Sequence, residues 1–419
     1  MTVTTSSRSF RLVCTPEERP LVEELLRAQG YDFEPEPFSE WSRRITHEPK
    51  PLGSSLAAFF GLIYIQDRSS MLPPVVLNPD AGDAVLDMCA SPGSKTGFLA
   101  QLVGADGFVM GNEPSRNRLA TLRQNLFTMN LLHTATCSYP GEKLPLPSGG
   151  WKKIQLDPPC SGWGTVERNP NVLKLWQGDK VKPLIGIQRK LLQEAFRLLA
   201  PGGKVVFSTC TTNVQENEEQ VRFAVDEVGF QLEPVTPPEG FTFEAPYLDG
   251  CEGTLRVDPE KSGAQGFYIA AFTKPDDAEA PEEFEAGLKA DIMPRKALSM
   301  PGVDAALLPD GELAHVRENA LFLPQYALDN FPETFRWRGF PIGKMARGEV
   351  RPSPRLRALM PEYQEGNGIN LEETEPIERL LTGQSMQVKA KGKETGLYFK
   401  GLRLGRLKVK GNRVLWSEK

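Results

Sequence analysis

From Asp83 to about Thr273 the chain alternates short apolar runs with longer amphipathic stretches, the pattern of a mainly parallel sheet covered by helices. The apolar runs predict strands over 84–87, 108–112, 135–138, 154–156, 204–208 and 266–272. The amphipathic stretches predict helices over 94–102, 115–130, 185–199 and 215–228, the third closed by Pro201-Gly202-Gly203. Alternation this regular predicts the doubly wound α/β class. The flanks read differently. Residues 1–60 mix helical spacing at Leu21, Leu25 and Leu26 with proline-rich turns at 34–38, an accessory segment to which no chemistry is assigned. A short strand over 61–67 opens the central domain, 61–274, and a short helix over 73–77 carries its prolines in the first turn. Residues 275–299, acidic and proline-containing from the start, predict a linker. The remainder, divided into 300–360 and 361–419, consists of short strand-like pieces separated by glycine, such as 340–344 and 402–406.

Composition narrows this picture without redirecting it. A chain of 419 residues, 40% hydrophobic and 25% charged, has room for two or three domains. No apolar run reaches the roughly 18 residues of a membrane span, and the first ten residues lack the apolar centre of a secretory signal, so a cytoplasmic location is expected. Six scattered cysteines without a Cys-x-x-Cys pair predict free thiols in a reducing compartment, and three distant histidines predict no metal site. The formal charge of −5 speaks against nucleic acid only if it is spread evenly. It is not: residues 389–413 hold Lys389, Lys391, Lys393, Lys400, Arg403, Arg406, Lys408, Lys410 and Arg413 against Glu394 alone, interleaved with Tyr398 and Phe399. That concentration predicts a phosphate-contacting surface; a solvated sheet edge that discourages aggregation is the bland alternative.

Three stretches carry chemistry. Val85 to Thr96 is a strand, a tight loop of small residues and a helix start, a geometry that lets backbone approach a ligand and offers amides to a negative group. Glu113, twenty positions after Gly93 and just past the next strand, is placed to accept hydrogen bonds from a ribose. Asp157-Pro158-Pro159-Cys160-Ser161-Gly162 and Cys210 each follow a strand, so both fall at the carboxyl edge of the sheet, where open α/β folds bind ligands. Two thiols and a carboxylate beside a nucleoside pocket suit addition of a thiolate to carbon-6 of a pyrimidine. That addition makes carbon-5 nucleophilic enough to take a methyl group.

Asp87 to Thr96, Asp157 to Gly164 and Ser208 to Thr212, with 61–71 and Gln215-Glu216-Asn217-Glu218, resemble the motifs of the NOL/NOP/Sun family of RNA cytosine-5 methyltransferases. Arg338 to Pro354 and Gly401 to Arg413 resemble, more loosely, the pre-PUA and PUA-like tail of its RsmF-like bacterial subgroup, which modifies small-subunit ribosomal RNA. The resemblance implies a Rossmann-like domain that binds S-adenosyl-L-methionine and a mostly β, PUA-like C-terminal region that binds RNA. It implies Cys210 as the nucleophile, Cys160 as the group that assists release, Asp157 as a contact to base and cofactor, and Lys95 facing the target base. It also implies a cofactor site of Cys89, Ala90, Ser91, Pro92, Gly93, Ser94, Lys95, Glu113 and Asp157, and RNA contacts from Lys400, Arg403, Arg406, Lys408, Lys410 and Arg413. Cys89 reads as a loop filler rather than a reactive thiol. Ser91 and Pro158 each stand where the family has alanine. Where the family carries an aspartate before glycine for the adenine, this chain has Tyr139-Pro140-Gly141, leaving Tyr139 or backbone amides for that contact. The expected protein is a monomer acting on ribosomal RNA or the small ribosomal subunit, without metal or membrane. A transfer-RNA cytosine methyltransferase and a non-catalytic RNA-binding ribosome-assembly factor are the alternatives.

Overall fold

The computed structural model describes residues 8–167, 169–278, 284–287, 290–298, 302–346, 349–388, 390 and 392–418. Its centre is a ten-stranded sheet. Five parallel strands form the middle: β1 (Ala84–Asp87), β2 (Phe108–Asn112), β3 (Thr134–Cys137), β4 (Trp151–Leu156) and β5 (Leu199–Thr209), in the spatial order β5-β4-β1-β2-β3. The chain winds one way from β1 to β3, then crosses to β4 and β5, so the switch point lies between β1 and β4. Tyr268–Thr273 adds antiparallel to β5 and carries further short strands. The fold is the doubly wound class that the alternation predicts.

The strands are apolar on both faces because helices cover both. Leu86, Met110, Ile154, Leu156, Val205 and Phe207 point to one face and pack with Leu191, Leu192, Ala195 and Leu198 of the Lys182–Leu198 helix. Val85, Val109, Val206 and Ile269 point to the other and pack with the Ser94–Val103 and Arg116–Met129 helices. The two-residue side-chain period of a strand thus divides one sheet between two cores.

Several expectations are revised at the edges. Ile63–Ile65, read as the opening of the central domain, pairs antiparallel with Ser9–Leu12 and completes a four-stranded N-terminal sheet. Trp337–Arg338, far along the chain, pairs antiparallel with β3 and becomes the other edge of the central sheet. Within the stretch read as a linker, Asp291–Met293 pairs with Gly311–Val316 in a separate five-stranded sheet. Glu279, Pro281, Glu282 and Glu283 of that stretch lie outside the described residues.

The basic C-terminal stretch is where charge counting misleads most. Its strands Glu394–Phe399 and Leu402–Lys410 form a hairpin whose turn residues, Lys400 and Gly401, both have positive φ, the geometry that matches strand twist. Tyr398 and Phe399, expected at the surface, are fully buried, and Phe399 shares a core with Phe10, Leu25 and Leu62 of the N-terminal segment. Arg406 is 1% exposed; its guanidinium meets Glu394 at 2.7 Å and donates to the carbonyl of Pro352 at 2.7 Å, which removes it from any RNA-contact surface. Arg403 pairs with Glu18 at 2.7 Å and Lys400 pairs with Glu24, both across to the N-terminal segment. These two cations join parts of the molecule together. Lys408, Lys410 and Arg413 remain exposed, while Lys389 and Lys391 lie outside the described residues.

Candidate active site

The site sits over the switch point, where the carboxyl ends of β1, β4 and β5 meet the loops that follow them. Asp87 ends β1 fully buried, accepting from Thr96 Oγ1 at 2.6 Å and from the Cys89 amide at 3.3 Å, so it pins the loop to the helix below. Burial pushes its carboxyl up to about 7. Gly93, with φ +103°, is the residue that turns the loop into the helix, and a Cβ there would also meet Leu122 Cδ1 at 3.0 Å.

Above this loop lies a cavity of about 360 Å³, lined by Met88, Cys89 and Ser91, by Glu113 and Arg118, and by Asp157, Cys160 and Cys210. Of the expected cofactor residues, Cys89, Ser91, Glu113 and Asp157 line it directly. Ala90, Pro92, Gly93 and Ser94 shape the loop from behind and are not among its lining residues, while Lys95 reaches past them to Asp157. Burial pushes the Cys89 thiol well above its usual value, in keeping with a filler rather than a nucleophile. Tyr139, a candidate for the adenine contact, is not among the residues lining the cavity. The Tyr139 ring turns away and stacks on Phe335, with centroids 5.3 Å apart, and its hydroxyl accepts from the Arg336 amide at 2.8 Å. Gly141, Glu142, Pro114, Ile187 and Leu191 also line the cavity. Ile187 and Leu191, four apart on one face of a helix, escaped sequence reading because only the fold brings that face to the pocket.

The reactive groups converge at the opposite end. Cys160 Sγ and Cys210 Sγ lie 3.3 Å apart, within hydrogen-bonding range for sulfur. Asp157 accepts from Lys95 Nζ at 2.7 Å through one oxygen and from Ser208 Oγ at 2.8 Å through the other, so its carboxylate has one orientation. Ser208 belongs to the 208–212 motif, from which no role for its hydroxyl is legible. The hydrogen bond shared with Cys160, helped by the Lys95 ammonium, lowers the Cys210 thiol below its usual value. The same bond, with burial, raises Cys160 well above its own. Lys95 itself is raised by Asp157 despite its burial and stays protonated. The pair is therefore asymmetric, the Cys210 thiol lowered and the Cys160 thiol raised.

What fixes this distance is a buried polar clasp. Glu216, wholly buried, accepts from the Ser161 amide at 2.9 Å, Ser161 Oγ at 2.5 Å, Gln188 Nε2 at 3.0 Å and Asn213 Nδ2 at 3.1 Å, tying the Cys160 loop to the segment after Cys210. The Gly164 amide donates to the Cys210 carbonyl at 3.0 Å, and a Cβ at Gly164 would meet the Gly266 carbonyl oxygen at 2.0 Å. On the other flank Arg256 meets both oxygens of buried Glu218, at 2.7 and 2.6 Å, and donates to the Thr212 carbonyl at 3.0 Å. Removing one member of a buried pair strands the other. Glu218→Ala is expected to destabilise the fold by about 3–5 kcal/mol in chemical denaturation; a loss below about 1 kcal/mol would show that Arg256 finds other compensation.

Comparison with known proteins bears on the same region. A family model described as 16S rRNA methyltransferase RsmB/F matches residues 74–273. The ribosomal RNA small subunit methyltransferase F of Shewanella loihica is 30% identical over 416 residues, covering 93% of this chain and 84% of that protein. The protein of the same name from Salmonella agona is 36% identical over 257 residues, 60% of this chain and 53% of its own length. Among solved structures, a methyltransferase homolog from Pyrococcus horikoshii superposes with a TM-score of 0.55 at 34% identity, covering 64% of this chain and 86% of its own.

Proposed function

Because this chain belongs to the RsmB/F family of 16S rRNA methyltransferases, we infer that it transfers a methyl group from S-adenosyl-L-methionine to carbon-5 of a cytosine in small-subunit ribosomal RNA. The observation that carries this reading is the asymmetric thiol pair, 3.3 Å apart, on the lip of the nucleoside-sized cavity. Reactions at an exocyclic amine need no such pair. Cys210 adds to carbon-6 as a thiolate, and the electron pair of the carbon-5 to carbon-6 double bond becomes available at carbon-5. Asp157, fixed by Lys95 and Ser208, holds the base edge, and the Lys95 ammonium offsets negative charge on the ring. After methyl transfer the carbon-5 proton passes to solvent water, its electron pair re-forms the double bond and Cys210 leaves as thiolate, with Cys160 assisting this release. A stacked base hides carbon-6, so the cytosine enters unstacked.

The residues present fit the cofactor. Glu113, with 3% of its side chain exposed, holds one oxygen on the Ser115 amide at 2.8 Å and lies 3.4 Å from Arg118, leaving carboxylate lone pairs for a ribose diol. Ile187 and Leu191 supply an apolar wall for a purine. The cofactor, when bound, supplies an electrophilic methyl group. Glu113→Ala is expected to weaken its binding about tenfold to hundredfold in calorimetric titration, as for loss of hydrogen bonds to a charged group. Equal affinity would remove Glu113 from the site.

The C-terminal sheet around Lys408, Lys410 and Arg413 acts as a PUA-like RNA contact, with its charge well below what the sequence count suggested. Among the described residues no helix is long and apolar enough to cross a membrane, and no cluster of three or more metal-ligating side chains is present. Titration with S-adenosyl-L-methionine tests the enzymatic reading against a non-catalytic assembly factor, which would not bind it. Bisulfite sequencing of total RNA with and without the gene separates ribosomal from transfer RNA.

A further inference from the structure

At the outer edge of the central sheet, Trp337–Arg338 pairs with β3 so that Arg338 stands opposite Thr136. The hydroxyl of that same Thr136 accepts from Arg123 Nε at 2.9 Å. Two guanidinium groups are thus brought together over one threonine, where the Arg116–Met129 helix meets the strand Phe340–Ala346, which carries Lys344. All three cations line a cavity of about 550 Å³ floored by Phe127 and Phe340, whose stacked rings are 5.9 Å apart. Among the described residues no aspartate or glutamate lines it. Among the described residues, none of the three has a carboxylate at ion-pair distance.

Four other well-covered arginines are neutralised by carboxylates, while buried Arg11 and Arg357 donate to neutral acceptors. Arg43, Arg68, Arg256 and Arg403 each face a glutamate at 2.7 Å or less. Two half-buried guanidinium groups facing each other cost electrostatic free energy in the unliganded fold, and burial with the Arg338 charge pushes Arg123 down to about 10. An anion seated between them would relieve that cost, and a guanidinium fork matches two oxygens of a phosphate. Lys344 is exposed, so the cavity mouth faces solvent.

We propose that Arg123, Arg338 and Lys344 form a phosphate subsite for the backbone of the substrate RNA, distinct from the catalytic cleft and from the C-terminal tail. The proposal rests on the reading of the protein as an RNA methyltransferase. It places RNA across the junction of the central sheet and the five-stranded sheet, which would make that junction a ruler for presenting the target cytosine.

The test uses the full-length protein with Arg338→Gln, with Lys344→Gln, whose side chain is exposed and whose fold is not at stake, and with both. A small-subunit ribosomal RNA transcript is titrated at several salt concentrations, and KM for RNA, kcat and cofactor affinity are measured beside it. The expected result is a several-fold to tenfold rise in Kd and KM for each variant, with kcat and cofactor affinity unchanged. The slope of log affinity against log salt should fall by about 0.7–0.9 per lost phosphate contact. RNA affinity within twofold of wild type in the double variant overturns the subsite, as does weaker binding with an unchanged salt slope. Inorganic phosphate forms a second arm: if it binds the wild type, and its binding is lost in the variants while RNA affinity stands, the site takes a small anion and the proposal fails. Failure of the wild type itself to bind RNA would instead refute the functional reading.

Discussion

Cys160→Ala is expected to convert a turning-over enzyme into one that stalls as a covalent complex with its RNA. The variant keeps Cys210, Lys95 and Asp157, so addition to carbon-6 and methyl transfer proceed; what it lacks is the thiol 3.3 Å from the nucleophile that assists its departure. With cofactor present, a band of protein-linked RNA that survives denaturing electrophoresis should accumulate. The geometry adds a second consequence. The hydrogen bond shared with Cys160 is the main influence holding the Cys210 thiol down, so deleting Cys160 moves Cys210 back up toward an ordinary thiol. The thiolate fraction at neutral pH then falls, and the adduct should form more slowly at pH 7 than at pH 9, whereas in the wild type the single-turnover rate levels off below pH 9. Adduct formation with the same pH profile as wild type would show that the Cys160 hydrogen bond does not tune the nucleophile.

Cys210→Ala is expected to remove methyl transfer by about 10⁴-fold or more, the scale on which loss of a covalent nucleophile is felt. No neighbouring group replaces it: Cys160 holds its proton more tightly than an ordinary thiol, and Cys89 is raised by burial. Cofactor affinity should change little, because Glu113, Ser91 and the apolar wall remain. No adduct should form with either cofactor or RNA in excess. Retention of more than about a tenth of wild-type activity would show that Cys210 is not the nucleophile, whatever the fate of the Cys160 variant.

The two thiols were legible in the sequence because Cys210 follows directly on a strand of the central sheet and Cys160 lies in the short loop after another, and a strand's carboxyl end limits where the next residues can be. The same logic placed Asp157 and Glu113. What stayed hidden depended on partners far away in the chain. Glu216 holds the Cys160 loop from 55 positions further on, and nothing local to a Gln-Glu-Asn-Glu stretch reveals four converging donors. The tail shows the opposite error. Counting cations treated Arg403 as free, yet its counter-ion Glu18 stands 385 positions earlier. Arg406 fills the core because the hairpin turns it inward. Tyr139 reads as available for adenine in the sequence, but its ring is stacked on Phe335, nearly two hundred residues on. Conversely, Arg123 and Arg338 look unremarkable one by one, and only the register that sets Arg338 opposite Thr136 makes them a pair.

The most direct test of the account is the identity of the modified nucleoside. Small-subunit ribosomal RNA transcribed without modifications, incubated with the wild-type protein and S-adenosyl-L-methionine, then digested to nucleosides and resolved by mass spectrometry, should yield 5-methylcytidine that disappears with Cys210→Ala. A methyl group on the exocyclic amine, on the ribose or on another base would contradict it.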